Sequence, residues 1–171
     1  YVWRNNAGGT AVDIWKSSTA GWVAVPLGEE ISFTGGNSSV GEGDTLTQGG
    51  VTATIKRLVV TSGTTPNLVG RLILSGRAGG NFGAGAATST GGGALTLSAI
   101  QTAITITPGG RYEIIDHNFG GAAGTKRMYG ADGVNRGFEF DGTDYSYTPI
   151  ATGMTSDIPT QIGSHKNHLF F

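Results

Sequence analysis

Apolar and polar residues alternate over short runs along much of this chain, and clusters of Gly or Ser separate the runs. The alternation is clearest at 51–55 and 95–97, and 72–74 is a short apolar run of similar length. A period of two residues is typical of a strand that buries one face, so each run predicts a strand. Lys56 and Arg57 interrupt the alternation, which indicates a β-bulge or a strand whose two faces differ in burial. Helical signals are nearly absent, and the chain is predicted to be all-β.

One spacing of aromatic residues occurs twice. Two aromatic residues stand seven positions apart and a Pro follows four positions later, first as Trp15, Trp22 and Pro26 and again as Phe138, Tyr145 and Pro149. In each copy a polar turn separates the aromatic residues and the Pro ends the strand pairing, which predicts a small antiparallel β unit. Such a unit cannot bury its faces alone, so its repetition predicts propeller-like blade segments. These six residues and Tyr129 form the predicted structural core of the repeat.

The strands between the two copies predict an inserted domain. Turn-forming stretches at 35–39 and 108–110 mark its borders, because a chain accommodates an insertion most easily at such turns. We therefore expect a blade-like β segment over 1–39 and a small Gly-rich β-domain over 40–110. A second blade-like segment is expected over 111–171, continuing beyond the last residue given.

Composition narrows the class of protein. Charged residues make up 13% of the chain, against roughly 25% in an average globular protein, and the net charge is −1. This balance predicts no nucleic-acid partner. No apolar run approaches the roughly 18 residues of a transmembrane helix, which predicts no membrane insertion. Cys is absent, so neither disulfides nor thiolate metal sites can form.

The stretch 75–108 contains a single charged residue, Arg77. Long flexible loops would explain its Gly, Ala, Thr and Ser content. A surface that packs against another protein without desolvating charges is the second interpretation. Fibre-like stacking is a third interpretation, for which a strict short period is missing.

Residues with catalytic or metal-binding chemistry are sparse. His165 and His168 stand three positions apart, and on a single strand they would point to opposite faces, which argues against a metal site. Solvent exposure of Glu139, or an ion pair with Arg127 or Arg136, explains this residue better than catalysis does. We therefore predict no catalytic residue, no cofactor, no metal ion and no enzymatic activity.

Two Asp-Gly pairs predict turns. The first is Asp132-Gly133, and the second opens the run 141–144. The second run also resembles part of a calcium loop, but the further acidic ligands of such a loop are missing. Asp-Gly between two strands is a strong hairpin signal, so both pairs are interpreted as turns.

Several runs of residues resemble a family of tailed-bacteriophage virion proteins. They are 109–113, 118–119, 127–130, 132–136, 138–142, 153–154, 159–160 and 165–170. In that family the aromatic repeat resembles propeller blades, and the Gly-rich β-domain resembles inserted modules that carry a motif such as 41–44. The resemblance implies a location in the virion, in the tail or at the head-tail junction. It implies no catalytic residue.

Two functions from different classes follow. The first is a structural virion component that assembles with copies of itself and with other virion proteins through symmetric contacts. The second is a carbohydrate-binding or host-attachment module, in which aromatic residues stack on host-surface glycans; the candidates are Trp3, Trp15, Trp22, Tyr145 and Tyr147. Assembly of blades would bury Trp15 and Trp22. A glycan site would leave a ring exposed, would be unique to one copy of the repeat, and would be accompanied by exposed Asn, Asp or Arg.

Overall fold

The computed structural model describes residues 1–119, 121, 125–142 and 146–171. These residues contain β-strands and no helix, so the predicted all-β class is confirmed. The strands are β1 Val2–Asn5, β2 Val12–Ser18, β3 Gly21–Val25, β4 Glu29–Gly36, β5 Thr45–Gln48, β6 Val51–Ser62, β7 Leu68–Ala78, β8 Gly85–Ser89, β9 Ala94–Leu97, β10 Thr102–Ala103, β11 Glu113–His117, β12 Arg127–Ala131, β13 Phe138–Asp141, β14 Ser146–Pro149, β15 Gly163–His165 and β16 His168–Phe170.

Residues Gly28–Ile104 form one compact unit. Within it, six strands close into an antiparallel barrel in the order β4, β7, β6, β5, β8, β9. The barrel closes where β9 pairs with β4, which places Phe33 opposite Leu97 and Thr34 opposite Thr96. Closure removes the free edges that an open sheet would present.

Alternation of side chains across the barrel wall fills the interior with apolar groups. Along β6, Val51, Ala53 and Ile55 are buried, whereas Thr52 and Thr54 are partly exposed. A barrel with so few strands is narrow enough for side chains to fill it. The buried members of the interior come from all six strands and two loops: Ile31, Phe33, Val40, Leu46, Val51, Ala53, Ile55, Leu72, Leu74, Phe82, Ala87, Leu95 and Leu97.

The three predicted runs at 51–55, 72–74 and 95–97 lie in β6, β7 and β9, so these strand predictions are confirmed. The interruption at Lys56 and Arg57 coincides with a bulge. Ile55 lies opposite Leu74 and Arg57 lies opposite Ile73, which leaves one residue of β6 without a partner in the register. A bulge of this kind bends a strand and increases its twist, as barrel closure requires.

Asp44 fixes the turn between β8 and β9. Its carboxylate accepts hydrogen bonds from the Ser89 hydroxyl at 2.7 Å, the Gly41 amide at 3.0 Å and the Thr90 hydroxyl at 3.3 Å. These bonds, the Ser89 bond foremost, lower the pKa of Asp44 because they favour its charged form. The nearly uncharged stretch 75–108 thus contains barrel strands and a turn held by hydrogen bonds, rather than a set of long loops.

Residues Tyr1–Leu27 and Thr105–Phe171 form the second compact unit. It contains a three-stranded antiparallel sheet, β1-β2-β3, a four-stranded antiparallel sheet, β11-β12-β13-β14, and the hairpin β15-β16. Every pairing in these sheets joins strands that are consecutive in the chain. Short local connections of this kind are the usual result of turn signals between alternating runs.

Aromatic rings form the core of this second unit. The Phe138 ring stacks on that of Tyr147, with ring centroids 5.0 Å apart, and its centroid lies 6.2 Å from Trp3 and 6.3 Å from Tyr112. Phe138 lies opposite Gly130 on β12. A side chain at Gly130 would collide with the Phe138 ring, so the missing side chain makes room for it.

The compact units and the predicted segments have different borders. The sequence predicts breaks after residues 39 and 110, whereas the two units meet at Leu27/Gly28 and Ile104/Thr105. Strand β4 accounts for the first difference, because Ile31 and Phe33 on this strand belong to the barrel interior.

Candidate binding surface

The two faces of the three-stranded sheet differ in exposure. Val12, Ile14 and Val25 are buried on one face. Side chains alternate along β2, so Trp15 faces the other way from Ile14. Ala24 lies opposite Trp15 on β3 and shares that face. Trp15 is partly exposed and Ala24 is exposed, so this second face is the solvent face of the sheet.

Trp22 lies on the same solvent face. It is opposite Ser17, which is two residues from Trp15 on β2. Its side chain is 57% exposed, so the expectation that Trp22 is buried is wrong. The physical reason is the alternation of side chains along a strand. Ile14 and Val25 lie on the buried face, so Trp15 and Trp22 lie on the solvent face.

Polar groups flank the two indole rings. The Arg4 guanidinium lies 4.4 Å from the centroid of the Trp15 ring, a cation-π distance. Asp13 lies opposite Arg4 in the register of β1 and β2, so its side chain is on the same face. We call Arg4, Asp13, Trp15, Ser17 and Trp22 the aromatic face.

The second copy of the aromatic spacing has a different environment. Phe138 and Pro149 are buried and lie opposite each other. In the first copy the residue opposite Trp15 is Ala24, two residues before Pro26, and Pro26 is exposed. The two copies therefore differ in strand register and in burial, although their aromatic and Pro residues have the same spacing.

The other described residues that the sequence predicts for the repeat core or the glycan surface pack in the core. Tyr129 is buried, and its ring centroid lies 5.1 Å from that of Phe119. Tyr145 lies outside the described residues. Trp3 and Tyr147 pack in the aromatic core, and Tyr147 is 2% exposed, so their predicted place in a glycan surface is wrong.

A buried carboxylate organises the turn between β12 and β13. Asp132 accepts hydrogen bonds from the backbone amides of Val134 and Asn135 at 2.9 and 2.6 Å, and from the Asn135 side-chain amide at 2.6 Å. Burial raises the pKa of Tyr112 to about 12 and also raises the pKa of Tyr147, and the Asp132 charge acts in the same direction on both. Donors of the turn hold the Asp132 carboxylate, so its role is structural.

Arg127 forms an ion pair with Glu139, one of the two interpretations of Glu139 that the sequence leaves open. The Arg127 Nε lies 3.0 Å from Glu139, and an Arg127 terminal nitrogen lies 3.1 Å from Asp141. All of these side chains are largely buried. In the part of the chain that the structure describes, no three His, Asp or Glu side chains lie close enough to hold a metal ion together.

The aromatic face is thus the most distinctive surface among the described residues. No helix in those residues is both long enough and apolar enough to cross a membrane. Comparisons with protein-family models, with curated proteins and with solved structures gave no match for this chain. Fold and surface define a class: an all-β protein with a closed six-stranded barrel and, in its other compact unit, a sheet that exposes aromatic rings.

Proposed function

We propose that the chain is a non-enzymatic carbohydrate-binding β-module that uses the aromatic face. One observation carries the proposal: Trp22 is 57% exposed and lies on the same sheet face as Trp15. Burying an aromatic side chain is worth a few kcal/mol, so an indole ring left in water on a regular strand is unusual for a purely structural position.

The chemistry of the aromatic face suits a neutral sugar. An indole ring offers a flat apolar surface on which the C–H groups of a pyranose ring can stack. Arg4 supplies donors, Asp13 supplies acceptors and the Ser17 hydroxyl supplies both, which matches the alternating needs of sugar hydroxyls. Arg4 and Asp13 are cross-strand neighbours of opposite charge, so the face carries no net charge to attract an anion.

The asymmetry of the two copies supports the same proposal. Phe138, the counterpart of Trp15, is buried in the aromatic core and has no free face for a ligand. The first copy, in contrast, has a partly exposed Trp15 and an exposed Trp22, and exposed Arg4 accompanies them. Both features are the ones expected of a glycan site and not of a repeated packing contact.

Trp22→Ala should weaken sugar binding while leaving the fold intact. We expect a glycan array to find a neutral oligosaccharide ligand, and calorimetry to show a loss on the order of 2 kcal/mol, about 30-fold in Kd, in the variant. The free energy of unfolding should change by no more than about 0.5 kcal/mol, because the ring is exposed. Val23→Ala is the matched control: Val23 is 41% exposed, adjacent in β3, and points to the other face. Equal binding by Trp22→Ala and the parent chain would contradict the proposal.

A second candidate is a structural component of a tailed-phage virion, in the tail or at the head-tail junction. The resemblance of residues 109–170 to that family supports it, and so does the sparse charge of 13%. In this interpretation the three-stranded and four-stranded sheets are propeller-like blade segments. Among the described residues β3 pairs with β2 alone, so its outer edge is available to a strand from a neighbouring subunit or virion protein.

Assembly predicts that the purified chain associates with itself. Light scattering over a concentration series should show a mass that rises in discrete steps above the monomer mass of 17.5 kDa. Ala24→Pro should reduce this association, because the Ala24 N–H points to the outer edge of β3 and Pro there blocks strand addition. A monodisperse monomer at high concentration that also fails to bind other virion proteins would rule out the structural role.

A further inference from the structure

His165 and His168 lie at the end of a tight hairpin. The two residues between them, Lys166 and Asn167, have φ angles of 48° and 61°. Two central residues with positive φ define a two-residue type I′ turn, whose twist suits an antiparallel hairpin. The register places His165 directly opposite His168.

This geometry puts both imidazoles on one face. Directly opposite residues of an antiparallel pair share a face, with Cβ atoms roughly 4.5–5.5 Å apart. The expectation that the two side chains point to opposite faces is therefore wrong, because it assumed one continuous strand where the chain turns between the two residues. The pair is also accessible: both His residues are exposed, and the position of a side chain at Gly163, next to His165 on the same face, is open space.

We propose that His165 and His168 together bind a divalent transition metal ion, with water in the remaining coordination positions. Imidazole nitrogen is a preferred ligand of Cu²⁺, Ni²⁺ and Zn²⁺ and a poor one for Mg²⁺ or Ca²⁺. The type I′ turn fixes the distance between the two backbone positions, so the two ligands need little further ordering to act as a chelate. Affinity should follow the general order for nitrogen ligands, with Cu²⁺ bound most tightly. The site is independent of the proposed sugar-binding face.

Metal titrations of the full chain test the site. Calorimetry with CuCl₂, NiCl₂ and ZnCl₂ should show one ion per chain, and electron paramagnetic resonance of the Cu²⁺ form should show two nitrogen ligands. His165→Ala and His168→Ala should each weaken binding at least about tenfold, the loss typical of removing even a group that orients a ligand. His117→Ala is the matched control and should bind like the parent chain, since His117 lies on β11 in the four-stranded sheet.

Asn167→Gly gives a second check on the geometry. Gly adopts positive φ freely, so this variant keeps the turn and should keep the metal affinity. Circular dichroism checks that each variant is folded, which is expected in the hairpin because His165, Asn167 and His168 are exposed. Three results would overturn the proposal: no binding of Cu²⁺ at millimolar concentration, binding that survives both His substitutions, or a Cu²⁺ spectrum with a single nitrogen ligand.

Discussion

Phe33→Ala should lower the free energy of unfolding of the barrel by about 3–5 kcal/mol. Phe33 is 1% exposed and lies opposite Leu97, at the pairing that closes the barrel. A Cβ atom at Gly36 would come within 2.6 Å of the Phe33 ring, so the ring fills the space beside that Gly. Truncation leaves a cavity in a narrow interior whose closed wall cannot easily collapse, and the cost lies in both lost burial and lost contacts.

Urea denaturation followed by far-ultraviolet circular dichroism measures the loss of unfolding free energy. Amide hydrogen exchange of β4 and β7 shows whether the destabilised region is the barrel. Thr34→Ala is the matched control. Thr34 is adjacent, takes part in the same closing pairing and is exposed, so its substitution should change stability by no more than about 0.5 kcal/mol. Equal effects of the two substitutions would show that closure at β4 and β9 does not bury Phe33.

Phe138→Ala should destabilise the second compact unit by a similar amount, about 3–5 kcal/mol. Phe138 is 1% exposed and packs against the rings of Trp3, Tyr112 and Tyr147. Gly130 opposite it provides no side chain to fill the vacated space. The loss therefore includes both the burial of the ring and its contacts with three other rings.

Tryptophan fluorescence during urea denaturation reports this unit selectively, because all three Trp residues of the chain lie within Tyr1–Leu27. Ile114→Ala serves as the control. Ile114 lies in the same four-stranded sheet but is 40% exposed, so its truncation should cost much less. A Phe138→Ala midpoint equal to that of the control would mean that the aromatic core contributes little to stability.

Local sequence signals predicted the strands and turns well. The alternating runs, the bulge at Lys56 and Arg57, and the chain reversal at Asp132-Gly133 all depend on residues close in sequence. Side-chain period, steric limits on φ and turn chemistry act over a few residues, so a single sequence is sufficient to identify them.

The candidate binding surface depends on cross-strand register, which local sequence signals do not determine. The sequence identifies Trp15 and Trp22 as important, but leaves open whether they lie in a repeat core or on a glycan-binding surface. No local signal in the sequence brings Arg4 to the Trp15 ring or places Asp13 opposite Arg4. A shift of one residue in register would move each of these side chains to the other face, and register is decided by which side finds apolar partners.

The sequence by itself determined an all-β chain of short strands with sparse charge and with turns at defined positions. The tertiary structure alone decided that β4 closes a barrel with β9, that the two aromatic copies differ in register, and that Trp22 faces water while Phe138 is buried. It also brought His165 and His168 to one face across a turn. All of these features have the same physical reason. Long-range strand pairing decides which face of each strand is buried, and that pairing depends on two segments that are distant in the sequence.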